Sequence, residues 1–303
     1  MTQSVKDKIA WAFVLICPAF FASNMLLARG MSGVFPPMAM ALGRWFFVGL
    51  LICALLGFMR RLAVAQIKKE WRGILGLAAL GMGLCGGPVY LAGDYTTAMN
   101  IGLIYSAAPL LIALLAFVRF GERLNKRQMF GLAMGLCGVV IIITQADISR
   151  LLSLSLNQGD MLIVMATMSF AIYSLGLKYS ATSLTQIQRF GAMALGGALW
   201  HAPFVIAEVM IRGPLPEITL VIIGALCILV FVASLGAYLS YGFIVSQLGT
   251  TIAGATLYLS PIYAAGLAML LLGEELALFH IIGGGLILPG LWLVSQRSRK
   301  SSS

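Results

Sequence analysis

Charge is what this 303-residue sequence has least of. Asp, Glu, Lys and Arg make up 10% of it, against about 25% in a soluble domain. There are 10 acidic residues and two histidines. These shortages exclude most enzyme chemistry. The H-E-x-x-H zinc signature is absent, because His201 is followed by Ala202, Pro203 and Phe204. No pair of aspartates lies in the middle of an apolar run, and neither histidine has a serine or cysteine partner at a recognisable spacing. No glycine-rich phosphate loop follows a strand. An intramembrane enzyme is therefore the distant alternative, and no metal or cofactor is expected. Period-two alternation is also missing, which excludes a transmembrane barrel. The start lacks a basic segment, short apolar core and cleavage site, so the first apolar run is expected to stay as a span. The five cysteines are odd in number and lie inside apolar runs, which argues for reduced thiols over a disulfide framework.

What is present is apolar length. Hydrophobic residues make up 60% of the chain, and mean hydropathy is +0.99. A span needs roughly 20 apolar residues. Ten such runs are read at 9–28, 35–58, 72–93, 96–119, 128–146, 159–178, 185–208, 218–243, 250–272 and 277–295. They predict an all-α integral membrane protein in a lipid bilayer. Trp11, Trp71 and Trp292 fall near run ends, as interfacial anchors do. The net charge of +10 sits between the runs, so it is read as orienting the chain in the membrane, with no nucleic-acid partner. Placing both termini in the cytoplasm puts fifteen of the 20 basic residues inside. These are Lys6, Lys8, Arg60, Arg61, Lys68, Lys69, Arg72, Arg119, Arg123, Lys126, Arg127, Lys178, Arg297, Arg299 and Lys300. That bias is the positive-inside signature.

The chain also repeats itself. A shift of 152 positions lays Gly102 on Gly254, Pro109 on Pro261, Gly121-Glu122 on Gly273-Glu274, Gly131 on Gly283 and Gly138 on Gly290. Earlier, a shift of 149 lays 21–29 on 170–178. Five runs per half is an odd number, so the second copy crosses the membrane upside down. The corner at 121–127 is basic and the matching corner at 273–279 is not, as opposite sides require. This predicts two inverted five-helix repeats, 1–146 and 147–303, a pattern of secondary transporters.

Ten runs, a proline within the fourth and ninth, Gly-Glu at the end of each and spaced glycines in the helix that follows resemble the drug/metabolite transporter superfamily, EamA type. The resemblance covers about 9–295, and among its branches the chain looks most like the bacterial amino-acid exporters of the YddG type. It implies an inner-membrane exporter of amino acids, aromatic ones included, and related small metabolites. It also implies a central cavity lined by helices one to four and six to nine. Efflux of drugs or other metabolites on the same fold is the alternative. A monomer or weak dimer is expected.

Polar groups within the runs are the first candidates for substrate contact. Asn24 and its repeat mate Tyr173 either face a cavity or join helices by hydrogen bonds. Tyr90 and Tyr238 lie well inside their runs, Tyr90 beside the breaker sequence Gly86-Gly87-Pro88, and either line the cavity or pack. Tyr105, Ser106, Tyr258 and Ser260 cluster beside Pro109 and Pro261, which are read as a hinge pair or as static kinks. Met168 is expected to add an adaptable apolar wall. Arg44 lies on the order of 13 Å into its helix at 1.5 Å per residue. It either pairs with a substrate carboxylate or a backbone carbonyl, or reaches the outer interface. Arg189, nearer its helix start, is expected to snorkel to the cytoplasm. No acidic residue falls at mid-depth in a run, so facilitated transport is expected over proton coupling.

Overall fold

The computed structural model describes residues 3–152, 157–272 and 277–296. All regular structure among them is helical. Apart from a short helix at Ile148–Leu152, the helices in chain order are α1 (Gln3–Gly30), α2 (Pro37–Phe58), α3 (Val64–Ala92), α4 (Met99–Phe120), α5 (Lys126–Thr144), α6 (Gln158–Tyr179), α7 (Gln186–Arg212) and α8 (Leu220–Leu248). Next come α9, in two pieces (Thr250–Thr256 and Ser260–Leu272), and α10 (Leu278–Ser295). Among the described residues, eight of these are long and apolar enough to cross a membrane: α2 to α8 and α10. The chain is a multi-pass membrane protein. The repeated corner at Gly273-Glu274 and the basic tail at Arg297, Arg299 and Lys300 lie outside the described residues.

Short polar side chains start several helices. Asn125, Asn157 and Thr185 each close a capping box, and Thr97 and Thr219 accept a hydrogen bond from the backbone three residues on. Such caps satisfy N–H groups that the first turn cannot. Contacts between connections sort them to two ends of the bundle. At one end Glu70 accepts hydrogen bonds from Thr182 and Ser183, Gln188 donates to the Arg61 carbonyl, and Lys178 pairs with Glu122. At the other end Asp94 accepts from Ser32 and pairs with Arg212 at 3.0 Å, and Asp160 accepts from Thr96.

Four helices are interrupted. In α3 a π-helical segment, Ala79–Gly83, precedes a turn at Gly86 and a restart at Gly87–Ala92. In α8 the π segment is Phe231–Gly236. These segments begin 152 positions apart. In α4 the helix stops after Tyr105 and restarts at Ala108, and α9 passes through a 3-10 turn at Leu257–Leu259. Pro109 and Pro261 each stand second in the restarted piece. A proline is tolerated in a first turn because its missing N–H has no partner to lose.

Glycine sets the closest helix contact. A Cβ on Gly131 would stand 2.5 Å from the Gly290 carbonyl oxygen, and one on Gly290 would stand 2.7 Å from that of Gly131. The same holds for Gly138 against Gly283, at 2.5 and 2.6 Å. Helices α5 and α10 thus run antiparallel with backbones touching. The contact is reciprocal, since Gly131 and Gly283, and Gly138 and Gly290, are the pairs joined by the 152-position shift.

Candidate functional site

Buried polar groups gather where α1, α2, α3 and α8 meet. Arg44 is 1% exposed. Its Nε donates to Ser234 Oγ at 2.5 Å and its Nη2 to the Ala233 carbonyl at 2.7 Å. Its Nη1 donates to Asn24 Oδ1 at 2.7 Å and to the Tyr90 hydroxyl at 2.8 Å. The Tyr90 hydroxyl in turn donates to Asn24 Oδ1 at 2.8 Å. Four of the five guanidinium donors are thereby used, all on uncharged oxygens. Ala233 lies in the π segment of α8, where the Ala237 amide bonds to the Ser234 and Val232 carbonyls and passes that of Ala233 by. Arg44 therefore pairs inside the bundle and does not reach the outer interface.

Among the described residues the charge has no counterpart. Among the described residues the ion pairs are Asp94–Arg212, Glu122–Lys178 and Asp147–Arg150. Two other carboxylates are buried, and both are held elsewhere. Asp160 accepts from Thr96, Asn100 and the Asn157 backbone, and Glu208 accepts from the Met38 and Ala39 backbone. Among the described residues no anion stands against Arg44, a buried cation, and such an arrangement costs free energy.

Aromatic rings wall the site on one side. Tyr238 is central: Trp45 meets it edge-on at 5.1 Å between centroids, Phe190 stacks at 5.8 Å, and Phe21 and Tyr173 close in at 5.7 and 6.0 Å. The guanidinium carbon of Arg44 lies 4.4 Å from the Trp45 ring centroid and 5.8 Å from that of Tyr238. The Tyr238 hydroxyl donates to the Gly81 carbonyl in the π segment of α3, at 2.9 Å. Tyr173 packs on the same glycine, where a Cβ would stand 2.5 Å from its ring.

Two hollows lie along these helices, and one of them touches the centre. From the end carrying Ser32 and Asp94, a cleft of about 20 Å³ ends on Tyr90. At the end carrying Thr185, an open groove of about 510 Å³ between α1, the start of α7 and α8 is lined by Phe13, Phe20, Gln186, Leu239 and Phe243 and includes Gly236, the last residue of the α8 π segment.

Of the residues singled out in the sequence, Asn24, Arg44 and Tyr90 come together, and Tyr173 and Tyr238 stand beside them. Tyr105 is close enough to Arg44, Tyr90 and Tyr238 to feel their charge; the rest do not join the centre. Met168 is 38% exposed and lies in a stripe with Met161, Val164, Met165 and Ile172, all exposed; helical periodicity turns it away from the centre and corrects the pocket-wall expectation. Tyr105 packs among Val89, Ala92 and Ile163, and Ser106 donates to the Leu103 carbonyl. Tyr258 presses on Gly135 of α5, where a Cβ would stand 2.4 Å from its ring, and Ser260 begins the second piece of α9. Arg189 is also corrected. It donates to the Leu177 and Gly176 carbonyls at 3.1 Å each and is 8% exposed, so it caps the C-terminal end of α6 and does not snorkel. Ser234 was missed; a lone hydroxyl inside the apolar run at 220–235 was its only signal.

Comparison with known proteins agrees with this fold. A solved crystal structure of a protein superposes with a TM-score of 0.75 over 97% of this chain and 98% of its own, at 18% identity. An uncharacterized transporter of Bacillus subtilis, YyaM, is 23% identical over 91% of this chain and 90% of its own. A probable amino-acid metabolite efflux pump of Escherichia coli is 27% identical over 65% of this chain and 69% of its own. The profile of the EamA-like transporter family matches twice, at residues 8–144 and 157–296. On that match the chain belongs to the EamA-like transporters of the drug/metabolite transporter superfamily.

Proposed function

We propose that this transporter exports amino acids, aromatic ones included, and related small metabolites across a bacterial inner membrane. Arg44 receives the carboxylate, while the rings around Tyr238 receive an apolar or aromatic side chain. The observation that carries this reading is the buried Arg44 charge with neutral partners alone. The named efflux function of the Escherichia coli relative agrees with it.

Transport proceeds by alternating access of two inverted five-helix halves, 1–146 and 147–303, with both termini cytoplasmic. Support comes from the doubled family match, the reciprocal glycine contacts of α5 and α10, and π segments at equivalent places in α3 and α8. The basic residues Arg60, Arg61, Lys68, Lys69 and Arg123 favour the cytoplasm for the end carrying the 510 Å³ groove. Transport is facilitated and not proton-coupled, a reading supported by a centre in which, among the described residues, no carboxylate faces Arg44 and whose titratable neighbours are tyrosines, Cys85 and His201.

The test is flux into liposomes of labelled phenylalanine against phenethylamine, which keeps the ring and amine but lacks the carboxylate. Losing one member of a buried charge pair costs about 2–5 kcal/mol, so the amine should be carried at least roughly tenfold more slowly. Equal flux of the two would remove the carboxylate from the reading and favour broader drug or metabolite efflux.

A further inference from the structure

Neither helix that delivers the site begins with a cap of its own. Helix α2, which carries Arg44, starts at Pro36-Pro37, and its N-cap residue makes no side-chain hydrogen bond. The restarted piece of α3, which carries Tyr90, starts at Gly86-Gly87 and has none either. Buried first-turn N–H groups left without acceptors are costly. Both starts are met from a distance by one helix, α7. Glu208 Oε2 accepts from the Met38 and Ala39 amides at 3.0 and 3.1 Å. His201 Nε2 accepts from the Gly87 amide at 2.9 Å.

The two side chains are seven residues apart, two turns, and so lie on one face of α7. They are 0% and 7% exposed for His201 and Glu208. His201 Nδ1 lies 2.7 Å from the Gly197 carbonyl. A carbonyl can only accept, so Nδ1 carries the proton and Nε2 is left as the acceptor that Gly87 needs. The approach depends on the glycines: a Cβ on Gly86 would stand 2.9 Å from His201 Cε1, and one on Gly87 would stand 3.0 Å from His201 Cδ2.

We infer that His201 and Glu208 are positioning residues through which α7 holds the helix starts of α2 and α3, and thereby sets Arg44 and Tyr90 against each other. That these two residues bind substrate rests on the reading above; the positioning itself is read without substrate. Helix α7 lies in the second half of the chain, while α2 and α3 lie in the first. The contact therefore lets one half set the site geometry of the other.

The test uses the full-length protein in nanodiscs, with amide hydrogen exchange read over residues 38–44 and 86–93. His201→Leu keeps bulk but removes the acceptor, and should speed exchange at 86–93 about tenfold or more while leaving 38–44 near wild type. Glu208→Leu should do the reverse. His201→Gln places an amide oxygen near the lost nitrogen and should restore slow exchange. Unchanged exchange in both leucine variants overturns the inference. Transport supplies the second readout. His201→Leu should raise KM several-fold in the wild-type background and have little further effect in Tyr90→Phe, because contacting groups are not additive. An additive effect, or a fall in protein amount with KM unchanged, reduces His201 to a fold-stabilising cap and also overturns it. Normal KM in Arg44→Gln would instead sink the substrate-site reading, with the exchange result still deciding the positioning.

Discussion

Arg44 is held by a hydroxyl from α8, a carbonyl from α8, an amide oxygen from α1 and a phenol from α3. No lysine can replace it there. A lysine has one ammonium on a flexible stem, whereas these acceptors diverge around a planar fork. Arg44→Lys should leave protein in the membrane near normal and lower amino-acid flux by about 10- to 100-fold; flux within twofold of wild type at equal expression would show that the fork is not needed. The members of this shell were unequally visible in the sequence. Asn24, Arg44 and Tyr90 stand out because a polar group in an apolar run must find a partner. The Ala233 carbonyl has no sequence signal, since nothing in the residue types of 231–236 announces a π turn. Met168 misled for a related reason: its chemistry suits a pocket, but its side of the helix is set by the burial of its neighbours.

At the scale of elements, the interruptions carry the argument. The paired prolines are legible, and so is the breaker sequence at 86–88. Their structural form is not, because a proline read as a kink turns out to begin a new helical piece after a stop. If the pair acts as a hinge, α4 and α9 bend at those stops. Pro109→Ala and Pro261→Ala should each join the pieces into a more continuous helix and shift the balance between the two access states. Spin-label distances across the two mouths of the transporter would read the shift, and distributions matching wild type, with normal flux, would leave the prolines as packing features. The α5–α10 contact allows no such latitude. Gly131→Leu drives a side chain into the Gly290 backbone and should lower stability by about 1–3 kcal/mol, seen as a lower unfolding temperature in detergent.

At the scale of the whole molecule, orientation and energy coupling follow from how charge is distributed. In a variant without native cysteines, a membrane-impermeant thiol reagent should label cysteine at Glu217 in intact cells, and cysteine at Arg123 only after the membrane is opened. The opposite pattern would invert the topology. Purified transporter in liposomes, with membrane potential clamped, should carry phenylalanine equally well with and without a pH gradient. Uphill accumulation driven by that gradient alone would bring Asp160 and Glu208 forward, the buried carboxylates among the described residues. The seam between α5 and α10 has one more consequence. Gly131 meets Gly290 and Gly138 meets Gly283, so each partner presents the other with the surface it presents itself. Two identical subunits facing opposite ways would meet in this manner. On the proposed repeat, the seam has the symmetry that two separate, oppositely inserted copies of one half would give it. Genes encoding 1–146 and 147–303 separately should then yield polypeptides that find each other in the membrane and recover measurable transport, whereas either alone should yield none.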